Sequence, residues 1–82
     1  PNPVDAGQQL LLTVENGTVA PDKLQLLLTD TVGRTVGTAA GNLFDLNFWL
    51  NENFQKQPVG GLFFVEIKWE NGGRQVFRLV KN

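Results

Sequence analysis

Apolar and polar positions alternate along most of this chain, in short runs broken by glycine, asparagine or aspartate. In "KLQLLLTD", Leu24, Leu26 and Leu28 fall on one side of an extended segment and Gln25, Leu27 and Thr29 on the other, the period-two pattern of a strand. "QQLLLTV" repeats it with Leu10, Leu12 and Val14, and "ENGT" then breaks it. "NLFDLNFWL" repeats it with Phe44, Leu46, Phe48 and Leu50 set against Leu43, Asp45, Asn47 and Trp49. "DTVGR" has Asp30 at the first position of a type I turn and Gly33 at the fourth, and Arg34 starts a short strand through Val36. "PNPV" is a stiff extended opening, since proline fixes its own φ and biases the residue before it toward β. "NENFQKQPVGG" reads as a loop or one helical turn before Pro58. Breaks about every 10 residues predict an all-β antiparallel sandwich or barrel with no long helix. Its core is drawn from Leu10, Leu12, Leu26, Leu28, Phe44, Leu46, Val65, Ile67, Phe77 and Leu79.

The stretch "GGLFFVEIKWENGGRQVFRLVKN" predicts a closing hairpin whose register follows from its side chains. A two-residue Asn71-Gly72 turn sets Glu66 opposite Phe77 and mixes the faces. A three-residue turn over Asn71, Gly72 and Gly73 instead puts Phe63, Val65, Ile67 and Trp69 on one face with Phe77 and Leu79. It also pairs Glu70 with Arg74, Glu66 with Arg78 and Lys68 with Val76. Burying that face at about 1.5–3 kcal/mol per large side chain outweighs the few tenths from exposed ion pairs, so the apolar match decides.

Composition narrows the chemistry. With 82 residues the chain closes one core and forms a single domain, residues 1–82. Seven basic and eight acidic side chains leave a formal charge of -1, which provides no basic field for nucleic acid. Cysteine and histidine are both absent, which removes disulfides, thiolate metal sites, the usual general base and the commonest transition-metal ligand. No cofactor and no metal are expected, and no run is apolar enough for membrane insertion. A chain that starts at Pro1 and holds no methionine reads as a piece excised from a longer secreted protein, with any export signal upstream.

Carboxylates are the remaining candidates for catalysis or metal binding. Glu66, Lys68 and Glu70 alternate on one strand face and read as a solvated surface rather than acid/base machinery. Asp30 and Asp45 lack a spaced loop of further oxygen ligands, and Asp30 reads as a turn residue. "NGT" at Asn16 matches the glycosylation triplet but reads as a turn. Trp69 falls on the core face and Trp49 on the minor face of its strand, which favours packing over a sugar-stacking platform. Gly60 and Gly61 precede no helix with Lys and Ser/Thr, so they read as a strand start rather than a phosphate loop. The chain is therefore not expected to be an enzyme.

Five pieces, in order, resemble a known family. Pro1-Asn2-Pro3, "LLLTDTVGRTV", "FDL", "GGLFFVEI" and a terminal "FRLVK" are similar to the C-terminal sorting domains of the type IX secretion system of Bacteroidota, over essentially the whole chain. Phe63 stands where tyrosine is usual, one Asn follows Lys81, and residues 47–59 lengthen a link that is usually short. The resemblance implies an immunoglobulin-like sandwich of about seven short strands that serves as an address label. It implies recognition by the outer-membrane translocon and its shuttle proteins through Gly33, Arg34, Gly61, Phe63, Arg78 and Lys81. In many members a surface sortase then removes the domain and joins the cargo to anionic lipopolysaccharide. The implied route runs through the periplasm to the cell surface or medium. Lys81, taken as an exposed terminal side chain, is expected to contribute little to folding. An immunoglobulin-like accessory module that binds glycan or protein is the competing class, since the two share a shape.

Overall fold

The computed structural model describes residues 10–11, 23–58, 60–70 and 72–82. These form β1 (Leu24–Asp30), β2 (Thr35–Gly41), α1 (Leu43–Gln55), β3 (Gly61–Trp69) and β4 (Arg74–Lys81). The strands make one antiparallel sheet in the order β2-β1-β3-β4. The β-rich antiparallel character read from the sequence is present. The described residues give four strands and one helix rather than about seven strands in two sheets, and the second layer is α1.

The alternation of β1 sets the sheet's inner face as read. Leu24, Leu26 and Leu28 are buried and lie opposite Trp69, Ile67 and Val65 of β3. β4 adds buried Leu79 and half-buried Phe77, so Phe63, Val65, Ile67 and Trp69 do share a face with them. Leu10 is also buried in this cluster; Leu12, "PNPV" and Asn16 lie outside the described residues.

The stretch from Leu43 is a helix, not a strand, which corrects the largest misreading. Leu46 and Leu50 are buried, as both readings require, because a separation of four is even and is also about one helical turn. Phe54 extends the same stripe and is buried, whereas Phe44 and Phe48 are 78% and 63% exposed. Phe44 is thus no core residue. The helix starts at a capping box: Asn42 Oδ1 accepts from the Asp45 amide at 2.8 Å, and Asp45 Oδ2 accepts from the Asn42 amide at 3.4 Å. Asparagine is a modest helix former. Here the amides of Asn47, Asn51 and Asn53 each donate to a carbonyl four residues back and so support the turn they occupy. Of "NENFQKQPVGG", read as a loop or one helical turn, residues 51–55 are the last residues of α1.

The closing hairpin has the faces expected and a register displaced by two. Lys68 pairs with Arg74, Glu66 with Val76 and Phe64 with Arg78, so neither expected Glu–Arg pairing forms. The loop closes one residue earlier on each side. The Trp69 amide donates to Gly73 O at 3.0 Å, the Gly72 amide donates to Trp69 O at 2.9 Å, and Gly72 takes φ +90°. Gly73 lies under Trp69, where an added Cβ would come within 2.1 Å of the indole Nε1. That contact, rather than loop chemistry, explains the second glycine. Glu66 still finds cations, with Arg74 Nη1 at 3.1 Å and Lys68 Nζ at 3.6 Å.

Candidate functional site

The β1–β2 turn is built around one carboxylate. The Gly33 amide donates to Asp30 O at 3.0 Å, and Gly33 holds φ +85°, as the turn signature requires. Asp30 Oδ1 accepts from the amides of Val32 at 3.1 Å and Arg34 at 2.9 Å, and Oδ2 accepts from Arg34 Nε at 2.8 Å. Desolvation of the carboxyl group works against its charge. The amide and guanidinium of Arg34 and the amide of Val32 outweigh it and hold Asp30 below the ordinary carboxylate range. Arg34 is oriented from one side only, and its side chain is 80% exposed. Val32 stands at the turn tip, also exposed.

This turn sits against the start of β3, because Asp30 pairs with Phe63 and the Thr31 hydroxyl donates to Leu62 O at 2.6 Å. Gly61, at φ +140°, pairs with Lys81. At Gly60 a Cβ would lie 2.7 Å from Lys81 O, so the strand can enter beside β4 only without a side chain there. Together Val32, Arg34, Pro58, Gly61 and Leu62 border an open depression of about 290 Å³ at this end of the sheet.

Lys81 is not the exposed residue expected from the sequence. It is half-buried, and its Nζ donates to the carbonyls of Phe54 at 3.2 Å, Gln55 at 3.0 Å and Gln57. Those carbonyls lie at the C-terminal end of α1, where partners are missing and the dipole favours a cation. α1 has no basic residue in its own last turn. The last strand supplies one from 26 residues downstream of Gln55. Phe63, its neighbour in this region, is buried edge-to-face on Phe54 with ring centroids 5.3 Å apart. It is buried and joins the lining of the depression from beneath.

Five of the six family-implied residues therefore gather at one end: Gly33, Arg34, Gly61, Phe63 and Lys81. Arg78 pairs with Phe64 on the outer face of the sheet, away from the depression. Sequence reasoning missed Thr31 and Pro58, whose proximity depends on the β1–β3 pairing and on α1 ending at Gln55. The acid/base candidates behave as surface groups. Glu66 is bracketed by Lys68 and Arg74, and Glu70 lies 3.7 Å from Lys23. Asp45 is committed to the helix cap. Among the described residues no three His, Cys, Asp or Glu side chains gather to hold a metal ion. Trp49 packs over Gly37, where an added Cβ would come within 2.7 Å of its ring. This end of the sheet brings polar and apolar groups together around one open depression. No protein-family model, curated protein or solved structure matches the chain.

Proposed function

We propose that this chain is a sorting domain of the type IX secretion system, an address label read by the outer-membrane translocon and its shuttle proteins and, in many such domains, removed by a surface sortase. The supporting observation is a convergence. The aspartate–glycine–arginine turn at 30–34, the glycine-led strand start at 60–63 and Lys81 are distant in sequence, belong to three of the five family-like pieces, and surround one end of the sheet. A label read from outside needs such a composite surface, whereas each piece also has a private structural duty. Where the family implies a second sheet of an immunoglobulin-like sandwich, α1 and Leu10 cover the core in this chain. The reading places the domain in the periplasm in transit and then at the cell surface or in the medium.

The test is a fusion of residues 1–82 to the C-terminus of an exported reporter in a bacterium that has this machinery. Surface or medium delivery of the folded reporter supports the reading. Retention of the intact fusion in the periplasm overturns it and leaves the accessory binding module in its place. Removing β4 is a poor control, since it bares the edge of β3. Val32→Ser and Arg34→Ala are better, because both side chains are exposed at the turn.

A further inference from the structure

The guanidinium of Arg34 is a planar fork of N–H donors, and Asp30 sets how it is turned. Arg34 Nε donates to Asp30 Oδ2 at 2.8 Å, while Asp30 Oδ1 accepts from the amides of Val32 and Arg34 at 3.1 and 2.9 Å. Both oxygens of the carboxylate are thus in use, and its side chain is 19% exposed against 80% for Arg34. The anion of this pair is turned inward, and the cation presents its two Nη groups to solvent.

Beside the fork lies the depression of about 290 Å³ between Val32 of the turn and Pro58, Gly61 and Leu62, with Phe63 beneath. That is room for one or two side chains rather than for a cofactor. Of the described residues that line it, only Asp30 and Arg34 are charged. Gln57, also in its wall, gives its carbonyl to Lys81 Nζ, so a second positive charge stands behind the wall.

We propose that this end of the sheet binds an acidic segment of a partner protein, with an aspartate or glutamate side chain on the Nη groups of Arg34 and a neighbouring large apolar side chain in the depression. The inference deepens the sorting reading and rests on it for the partner's identity, a translocon or shuttle protein. An exposed ion pair alone adds little, so the apolar contact supplies much of the affinity and the carboxylate fixes the orientation. A basic segment is selected against, because it would meet the Arg34 guanidinium first. A phosphate group would occupy the fork and leave Val32, Pro58 and Leu62 uncovered, which favours a peptide over a phosphorylated surface.

The probe is a blocked peptide of glycine and serine carrying one phenylalanine followed by one aspartate. One control peptide has asparagine in place of the aspartate, another has serine in place of the phenylalanine, and inorganic phosphate is titrated separately. The Arg34 Nε signal and the amide signals of residues 31–34 and 60–63 should shift saturably with the probe, and each control peptide should bind at least about fivefold more weakly. These comparisons use the parent chain and so do not depend on how a variant folds. Arg34→Ala should weaken binding of the probe by at least about fivefold, and Arg34→Lys, which keeps the charge and loses the fork, should recover less than half of that loss. Lys68→Ala removes the same charge from the outer face of the sheet and should bind as the parent does. No saturable shift, equal binding of either control peptide, full binding by Arg34→Ala, or an equal response to inorganic phosphate at the same concentration would overturn the proposal. A peptide response in a domain that fails to export its reporter would retain this site and refute the sorting reading; export without a peptide response would do the reverse.

Discussion

Lys81 lies over Phe54, with its ammonium 3.2 Å from the Phe54 carbonyl and 5.9 Å from the centre of the ring. One side chain thus ties the end of β4 to the end of α1 by charge–carbonyl and charge–ring contact together. Lys81→Ala should destabilise the domain by about 1–2 kcal/mol, the range for charged hydrogen bonds and a helix-end cation in a partly buried setting. Thermal unfolding would read this as roughly 4–8 °C per kcal/mol. An unchanged melting temperature would refute the capping role. Reduced export of Lys81→Ala would by itself say nothing about recognition.

Asn51 holds Leu10 by both main-chain groups. Its Oδ1 accepts from the Leu10 amide at 2.6 Å, and its Nδ2 donates to Leu10 O at 2.8 Å. Asn51→Asp keeps the acceptor and loses the donor, so the Leu10 amide should stay protected from hydrogen exchange while stability falls by about 1 kcal/mol. Asn51→Leu removes both and should lose that protection as well. Equal protection in the two variants would show that the amide relies on another acceptor.

The two glycines of the closing hairpin should differ in their response to alanine. Gly72→Ala meets open space and strains only the backbone at φ +90°, at a cost of about 1 kcal/mol. Gly73→Ala drives a methyl into the Trp69 indole and should cost about 1–3 kcal/mol or expel the ring. Denaturant midpoints together with Trp69 fluorescence separate the two effects.

Asp30 makes the turn acid-sensitive. Its folded-state pKa is depressed, so its contribution is present above the unfolded-state pKa and is lost as pH falls through the folded one. Stability should therefore fall below the ordinary carboxylate range. Asp30→Asn should be less stable than the parent at neutral pH and show a flatter acid limb. Parallel acid limbs for the two proteins would remove Asp30 from the explanation.

For the sorting reading, Val32→Ser should change stability by less than about 0.5 kcal/mol, as exposed positions do, and Arg34→Ala should cost no more than the one exposed ion pair with Asp30 that it removes. Both should lower delivery of a fused reporter in the secreting host. Normal delivery by both would move recognition away from this turn.

The sequence carried the faces of the sheet further than it carried the partners. Leu24, Leu26 and Leu28 announce their side of β1 through strict alternation, and "DTVGR" specifies its own turn, because both depend on local geometry. The hairpin's two faces were readable from parity, but a two-residue slip preserves those faces, so the register needed the Trp69–Gly73 contact. In α1, Leu46 and Leu50 fit either period. Asn42 and Asp45 as a capping pair, with Phe54 one turn beyond Leu50, were the signals that decide for a helix. Lys81 gave no local sign of its role, since its partners lie on another element.

The sheet order also constrains how the domain is made. β1 is an interior strand, yet its second partner, β3, is synthesised only after β2 and α1. α1 likewise leaves the ribosome well before the lysine that closes its end. Until β3 and β4 are in place, β1 lacks its second neighbour and the last carbonyls of α1 lack Lys81, so completing the core depends on contacts distant in sequence.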